Sequence, residues 1–215
     1  MKRKGWITLV IVMLAVGAVV YFGFFGERNL MKQSATSVMQ GVPQDPLSEL
    51  EYINVGDYGC HWETYESGET MLVFPDGAYA RSYWVKDGDK YYYVDVSGCQ
   101  MKGNYSHDGY YVGRSGVMDR TVLRITKDIR PHEGKKYTDD SGICWTFYVS
   151  SKEAHLTYPE GYNYRADYEV VPLGHSAYAL YNVEDEYDCW HAVVLENGNA
   201  VRLSTAGVTE EYRIK

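Results

Sequence analysis

From Ile7 to Phe25 the chain runs 19 residues without a charge, and Lys2, Arg3 and Lys4 stand just before the run. As a helix rising about 1.5 Å per residue, this run would cover about 28 Å, the apolar thickness of a bilayer. Trp6 and Tyr21 fall where interfacial aromatics are expected, and the basic cluster predicts a cytoplasmic N-terminus. Ala15, Gly17 and Ala18 lie inside the run and Phe22, Phe24 and Phe25 close it, which is not the ending of a cleavable leader. The pattern therefore favours a single-pass signal anchor over residues 1–26, with the membrane as partner through residues 7–25 and the C-terminal part extracytoplasmic. Cleavage, leaving a secreted protein, is the alternative. Residues 27–55 are polar and aperiodic, and predict a linker.

Beyond residue 55 the hydrophobic period changes to two. Tyr162, Tyr164, Ala166, Tyr168 and Val170 share one face of an extended segment. Lys86-Asp87-Gly88-Asp89 and Glu196-Asn197-Gly198-Asn199 each separate two short alternating runs, the signature of a hairpin. Leu72-Val73-Phe74-Pro75-Asp76-Gly77 and Leu156-Thr157-Tyr158-Pro159-Glu160-Gly161 both place an aromatic before a Pro-acid-Gly turn. The expectation is an all-β ectodomain of antiparallel hairpins.

Those last two segments belong to an internal repeat. Sliding the chain by 84 residues superposes Cys60 on Cys144 and yields seven identities in 22 positions, from the cysteine through Ser67, Glu69, Leu72, Pro75 and Gly77 to Arg81. Two related halves follow as an expectation, a β module over 56–130 and a second over 131–215. The four cysteines, Cys60, Cys99, Cys144 and Cys189, all lie on the exported side, where an even count predicts two disulfides. The repeat favours Cys60–Cys99 with Cys144–Cys189, one staple per module; Cys60–Cys144 with Cys99–Cys189 is the competing pattern.

Composition supports β structure: 22 Tyr and 21 Gly stand against 6 Pro. Charge narrows the partners. The whole chain carries −8, and the part after residue 26 has 18 Lys+Arg against 29 Asp+Glu, a net charge of −11. Nucleic acid is excluded as a partner for want of a basic concentration. A polyanionic wall polymer would be repelled, so binding at a wall has to come from stacking or from a local cationic ligand.

Trp84-Val85-Lys86-Asp87-Gly88-Asp89-Lys90-Tyr91-Tyr92-Tyr93-Val94-Asp95-Val96-Ser97-Gly98 with Met101, followed by the shorter turn from Tyr105 to Met118, resembles the cell-wall-binding repeat of choline- and glucan-binding proteins. The likeness covers residues 84–118. It implies hairpins whose aromatics, with a Met, cage choline or stack on sugar rings. Carried over by position, the candidate ligand-binding residues are Trp84, Tyr92, Met101, Tyr105 and Tyr111. Packing of these aromatics inside an ordinary β domain is the competing account.

Catalysis has one candidate. Gly142-Ile143-Cys144-Trp145, followed 47 residues later by His191, resembles a transglutaminase-like core, which implies Cys144 as thiolate nucleophile and His191 as base. Its third member falls near Ser204 or Thr205, which cannot hold an imidazolium as a carboxylate does, and the helix such a cysteine needs conflicts with the β repeat. A non-catalytic role is therefore favoured, as binding or scaffolding at a bacterial cell surface, with wall carbohydrate or choline as ligand. No cofactor or metal site is expected; His61 and His191 beside cysteines are isolated.

Overall fold

Alternation of apolar and polar residues produces strands along the chain in a computed structural model that describes residues 50–159 and 164–215. By its contacts the chain divides into Met1–Glu51 and Tyr52–Lys215, and the account that follows is of the second unit. The expected anchor lies outside the described residues. Among the described residues no helix is long and apolar enough to cross a membrane.

The first strands are β1 (Tyr52–Asn54), β2 (His61–Thr64), β3 (Thr70–Val73), β4 (Tyr83–Asp87), β5 (Lys90–Val94), β6 (Asn104–Tyr105) and β7 (Tyr111–Val112). They form three small sheets: β1-β4-β5, β2-β3 and β6-β7. β1 falls in the stretch expected to be linker, because Tyr52, Ile53 and Asn54 run parallel to Trp84, Val85 and Lys86.

One turn geometry recurs through this region. In Tyr65–Glu69, Phe74–Ala78, Asp95–Cys99, Ser106–Tyr110 and Gly113–Val117 the first N–H donates to the fifth carbonyl, and the fourth N–H donates to the first carbonyl. The fourth residue is always glycine in the left-handed region: Gly68, Gly77, Gly98, Gly109 and Gly116, with φ between 82° and 90°. A turn closed by a left-handed glycine joins two strands without splaying them. The region is thus an array of short hairpins, more extensive than the two units visible in the sequence.

The remaining strands are β8 (Lys136–Thr138), β9 (Cys144–Tyr148), β10 (Glu153–Thr157), β11 (Arg165–Gly174), β12 (Ala177–Asn182), β13 (Cys189–Leu195), β14 (Ala200–Thr205) and β15 (Val208–Ile214). They close a barrel in the order β10-β11-β12-β13-β14-β15-β8-β9, every neighbour antiparallel. Eight strands leave an interior that side chains alone can fill. Here the inward positions are large and aromatic: Tyr137, Trp145, Phe147, Tyr168, Tyr178 and Tyr212 form the core with Leu156, Leu180 and Leu203. Trp145 stacks on Phe147 at 6.1 Å between ring centroids and meets Trp190 edge-on at 5.7 Å. The seam between β15 and β8 has only two residue pairs, Arg213–Thr138 and Ile214–Tyr137. Tyr137 reinforces it, since its hydroxyl accepts from the His132 N–H at 2.7 Å and donates to the Gly198 carbonyl at 2.6 Å.

The hairpin array packs on the outer wall of β12–β14. Val96 joins Ala179 and Cys189 in a buried cluster. Asn104 donates to Ser204 Oγ at 2.8 Å, and Arg202 donates to the Gly103 carbonyl at 3.2 Å.

Two expectations are corrected here. The all-β class and the hairpins at Asp87-Gly88 and Asn197-Gly198 stand, but the two copies of the repeat do not build like modules: one lies in the open array, the other in the barrel. Both copies are hairpins with a buried leucine, yet Leu72 pairs with Trp62 while Leu156 pairs with Trp145, not with Thr146, the repeat equivalent of Trp62. A one-residue slip exchanges the two faces of a strand.

The disulfides are absent as well. Cys60, Cys99, Cys144 and Cys189 are all free and buried. Cys99 bridges Met71, which pairs with Glu63, so Cys60, just before β2, stands three residues along the chain from that level. At about 3.3 Å per residue this is about 10 Å, beyond the reach of a disulfide. Cys144 and Cys189 lie on β9 and β13, on opposite sides of the barrel, and both point outward. Cys60 instead donates to the Asp57 carbonyl at 3.1 Å, and Cys189 to the Val96 carbonyl at 3.5 Å.

Candidate functional site

The residues expected to bind ligand separate into two groups. Trp84 and Met101 are interior residues, 1% and 0% exposed. Trp84 donates its indole N–H to Asp108 Oδ2 at 3.0 Å and packs against Tyr93 at 5.2 Å. Tyr92 packs edge-on against Trp62 at 5.6 Å, beside the core of the first sheets. Tyr105 and Tyr111, by contrast, face each other across β6–β7 with centroids 5.0 Å apart and planes at 57°, both half-buried. The structure thus brings two of the five together where a ligand can reach them.

Beside this pair lies a cleft of about 390 Å³, lined by Lys102, Gly103, Tyr111 and Arg114 from the array and by Arg202, Gly207, Thr209, Glu210 and Glu211 from the barrel. Its floor is fixed. Arg202 holds Glu211 at 2.6 Å, Glu211 also holds Arg213 at 2.5 Å, and Thr209 donates to the Lys102 carbonyl at 2.5 Å. Burial works against the charge of Glu211, but the two guanidinium partners outweigh it and keep its pKa below the usual carboxylate value. Burial, opposed by Arg202 and helped by Tyr111, raises the Tyr105 pKa, so the phenol stays a neutral donor.

The Tyr105 hairpin is anchored from behind by His191, whose Nε2–H donates to the Tyr105 carbonyl at 2.9 Å. His191 is completely buried, and burial pushes its pKa down to about 4. Its Nδ1 has no hydrogen-bond partner.

The catalytic pair expected from the thiol-enzyme resemblance is not assembled. Cys144 starts a β-strand, and residues 144–157 form a hairpin where a helix was needed. β9 and β13 stand four strands apart around an eight-stranded barrel, and Cys144 and His191 alternate with the inward-facing Trp145 and Ala192, so both side chains point away from the interior on opposite walls. A thiolate and its base must be within hydrogen-bond reach. His61 pairs with Glu63 at 3.0 Å on an exposed strand.

Sequence reading missed Lys102, Arg114, Arg202 and Thr209. Arg202 and Thr209 meet the array about a hundred residues back along the chain, at Gly103 and Lys102, so no local pattern announces them.

No protein-family model matches the chain, and no curated protein does. Solved structures are similar in part. A mutant Cpl-1 endolysin complexed with a peptidoglycan analogue is 19% identical over 59% of this chain and 36% of its own, with a TM-score of 0.25. The wild-type endolysin complex gives 20%, 58%, 36% and 0.24. The modular autolysin LytC from Streptococcus pneumoniae, in complex with synthetic peptidoglycan ligand, is 16% identical over 72% of this chain and 34% of its own, with a TM-score of 0.25. This chain spans about a third of the length of these structures.

Proposed function

We propose that this chain is a membrane-anchored, extracytoplasmic and non-catalytic module that binds cell-wall glycan through the Tyr105–Tyr111 cleft. The observation that carries the reading is the half-buried tyrosine pair at 5.0 Å beside a polar cleft. Aromatic faces stack on the C–H faces of sugars, and the cleft offers donors for hydroxyl and carboxylate oxygens. Lys102 and Arg114 supply the local positive charge that the acidic chain as a whole lacks. With Arg202, these cations outnumber Glu210 and Glu211 in the lining, which favours glycan over choline at this site. The test is competition: the full-length chain, kept in detergent, is bound to insoluble wall glycan and challenged with soluble wall fragments or with choline. Release by the fragments alone supports the reading, and release by choline alone contradicts it.

A further inference from the structure

The two walls of the Tyr105–Tyr111 cleft differ in charge. On the barrel wall the charges are closed among themselves: Arg202 holds Glu211 at 2.6 Å, Glu211 holds Arg213 at 2.5 Å, and Arg213 holds Glu196 at 2.6 Å. The Arg202 guanidinium also donates to the Gly103 carbonyl at 3.2 Å. Glu210, the other carboxylate of the lining, accepts from the Tyr212 hydroxyl at 2.6 Å. Every charged group on that wall therefore has a partner.

The array wall is open. Asn104 pairs with Val112 and Tyr105 with Tyr111, and the Gly103 N–H continues that ladder to the Gly113 carbonyl at 3.2 Å. Lys102 and Arg114 are the next residues on the two chains, so the hairpin brings two cations to one end. A Cβ on Gly103 would stand 4.0 Å from Arg114 Cγ, which places the arginine stem along the glycine main chain. Neither Lys102 nor Arg114 makes an ion pair or a side-chain hydrogen bond among the described residues.

Like charges facing each other across a ladder destabilise it. The chain after residue 26 has 29 Asp+Glu to draw on, yet among the described residues no carboxylate is set against these two cations. They share the lining with Tyr111, whose ring stands 5.0 Å from that of Tyr105. A ligand that joins one anionic group to a ring able to stack answers both features at once.

We propose that the cleft selects a sugar acid, with the carboxylate between Lys102 and Arg114 and the ring against Tyr111. This rests on the cleft reading and adds the chemical class of the ligand. The Arg114 fork takes both oxygens of a carboxylate, and Lys102 adds a point charge. A polyphosphate suits the site less well, because two cations offset a single charge and the acidic surface around them repels a longer run. An acid amide-linked to peptide has lost its charge. The cleft therefore takes glycan on which that amide has been hydrolysed to carboxylate and free amine.

The test titrates the full-length chain in detergent, at about pH 7 and low salt, with the disaccharide of N-acetylglucosamine and N-acetylmuramic acid and with its methyl ester. The acid should bind about tenfold more tightly than the ester, and the advantage should shrink at about 0.5 M salt. Lys102→Gln and Arg114→Gln, at positions that are not buried, should each cut the ratio to about threefold or less. Tyr111→Ala should weaken both ligands alike. Equal affinity for acid and ester overturns the proposal and leaves the cleft reading standing, as does a ratio that survives both glutamine variants. Failure of both ligands to bind, or binding of both that Tyr111→Ala leaves intact, removes the cleft reading and this proposal with it.

Discussion

His191 reaches from the outer wall of the barrel to the main-chain carbonyl of Tyr105, at 2.9 Å, and so fixes the hairpin that presents the tyrosine pair. The bond needs a proton on Nε2, and in the neutral ring it selects the Nε2–H tautomer. Burial holds the His191 pKa at about 4 against an ordinary 6.5 and keeps the ring neutral, although the bond to Tyr105 by itself favours the protonated form.

His191 and Asp95 make opposite demands on pH. Asp95 is fully buried, bonded to Ser97 and the Cys99 N–H, with burial pushing its pKa up to about 6 from an ordinary 3.8. A histidine with a depressed pKa adds stability that is complete above pH 6.5 and is lost as pH falls toward about 4. A carboxyl with a raised pKa favours the fold most below pH 3.8, and that contribution is lost as pH rises through about 6. Each amounts to about 3 kcal/mol, and the two nearly cancel. Urea unfolding between pH 4 and 6.5 should therefore change little for the parent through these groups. His191→Gln should become relatively more stable on acidification, and Asp95→Asn less. Identical pH profiles for parent and variants would refute this assignment.

Two glycines with left-handed backbone should respond very differently to alanine. At Gly109, φ is +86° and a Cβ would stand 2.0 Å from the Ile125 carbonyl oxygen; at Gly88, φ is +60° and nothing lies within 4 Å. Gly88→Ala should cost about 1 kcal/mol, from backbone strain alone. Gly109→Ala has to displace the segment crossing it and should cost about 3 kcal/mol or more. Chemical denaturation of the two variants measures the difference.

The cysteines give a direct check on the packing. Burial raises the Cys99 and Cys189 pKa values to about 11, so both are protonated and shielded in the folded protein. A thiol reagent at neutral pH should react slowly with the native, unreduced chain and should titrate four thiols once it is denatured. Two thiols or none after denaturation would restore the disulfides.

Removing the Tyr137 hydroxyl should loosen the barrel seam. Tyr137→Phe leaves the His132 N–H and the Gly198 carbonyl without their shared partner and should cost about 2 kcal/mol. Hydrogen exchange at β8 and β15 should rise in step.

Much of the β architecture can be read from local signals. Asp87-Gly88 and Asn197-Gly198 mark hairpins because their turns need left-handed residues, and the period-two face of Ala166, Tyr168 and Val170 is the inner face of a barrel strand. Barrel closure is not local: the Ile214–Tyr137 pair joins residues 77 positions apart. The tyrosines were recognisable as a class, but not by role. Trp84 and Tyr105 look alike in the repeat pattern, and only the crossing of the array by Asp108 and by the barrel wall buries one and leaves the other at the surface. The even cysteine count on the exported side predicts staples and the repeat only chooses their pairing; the one-residue slip between Leu72–Trp62 and Leu156–Trp145 removes the ground for that pairing, and all four thiols are free.

The central claim is that the Tyr105–Tyr111 cleft holds cell-wall glycan. Cosedimentation of the full-length chain, in detergent, with purified insoluble wall glycan tests it most directly, comparing the parent with Tyr111→Ala and Arg114→Ala, neither of which is fully buried. Binding of the parent, with each variant weakened about tenfold, is the predicted result. Undiminished binding by both variants, with their folds intact by circular dichroism, would contradict the account.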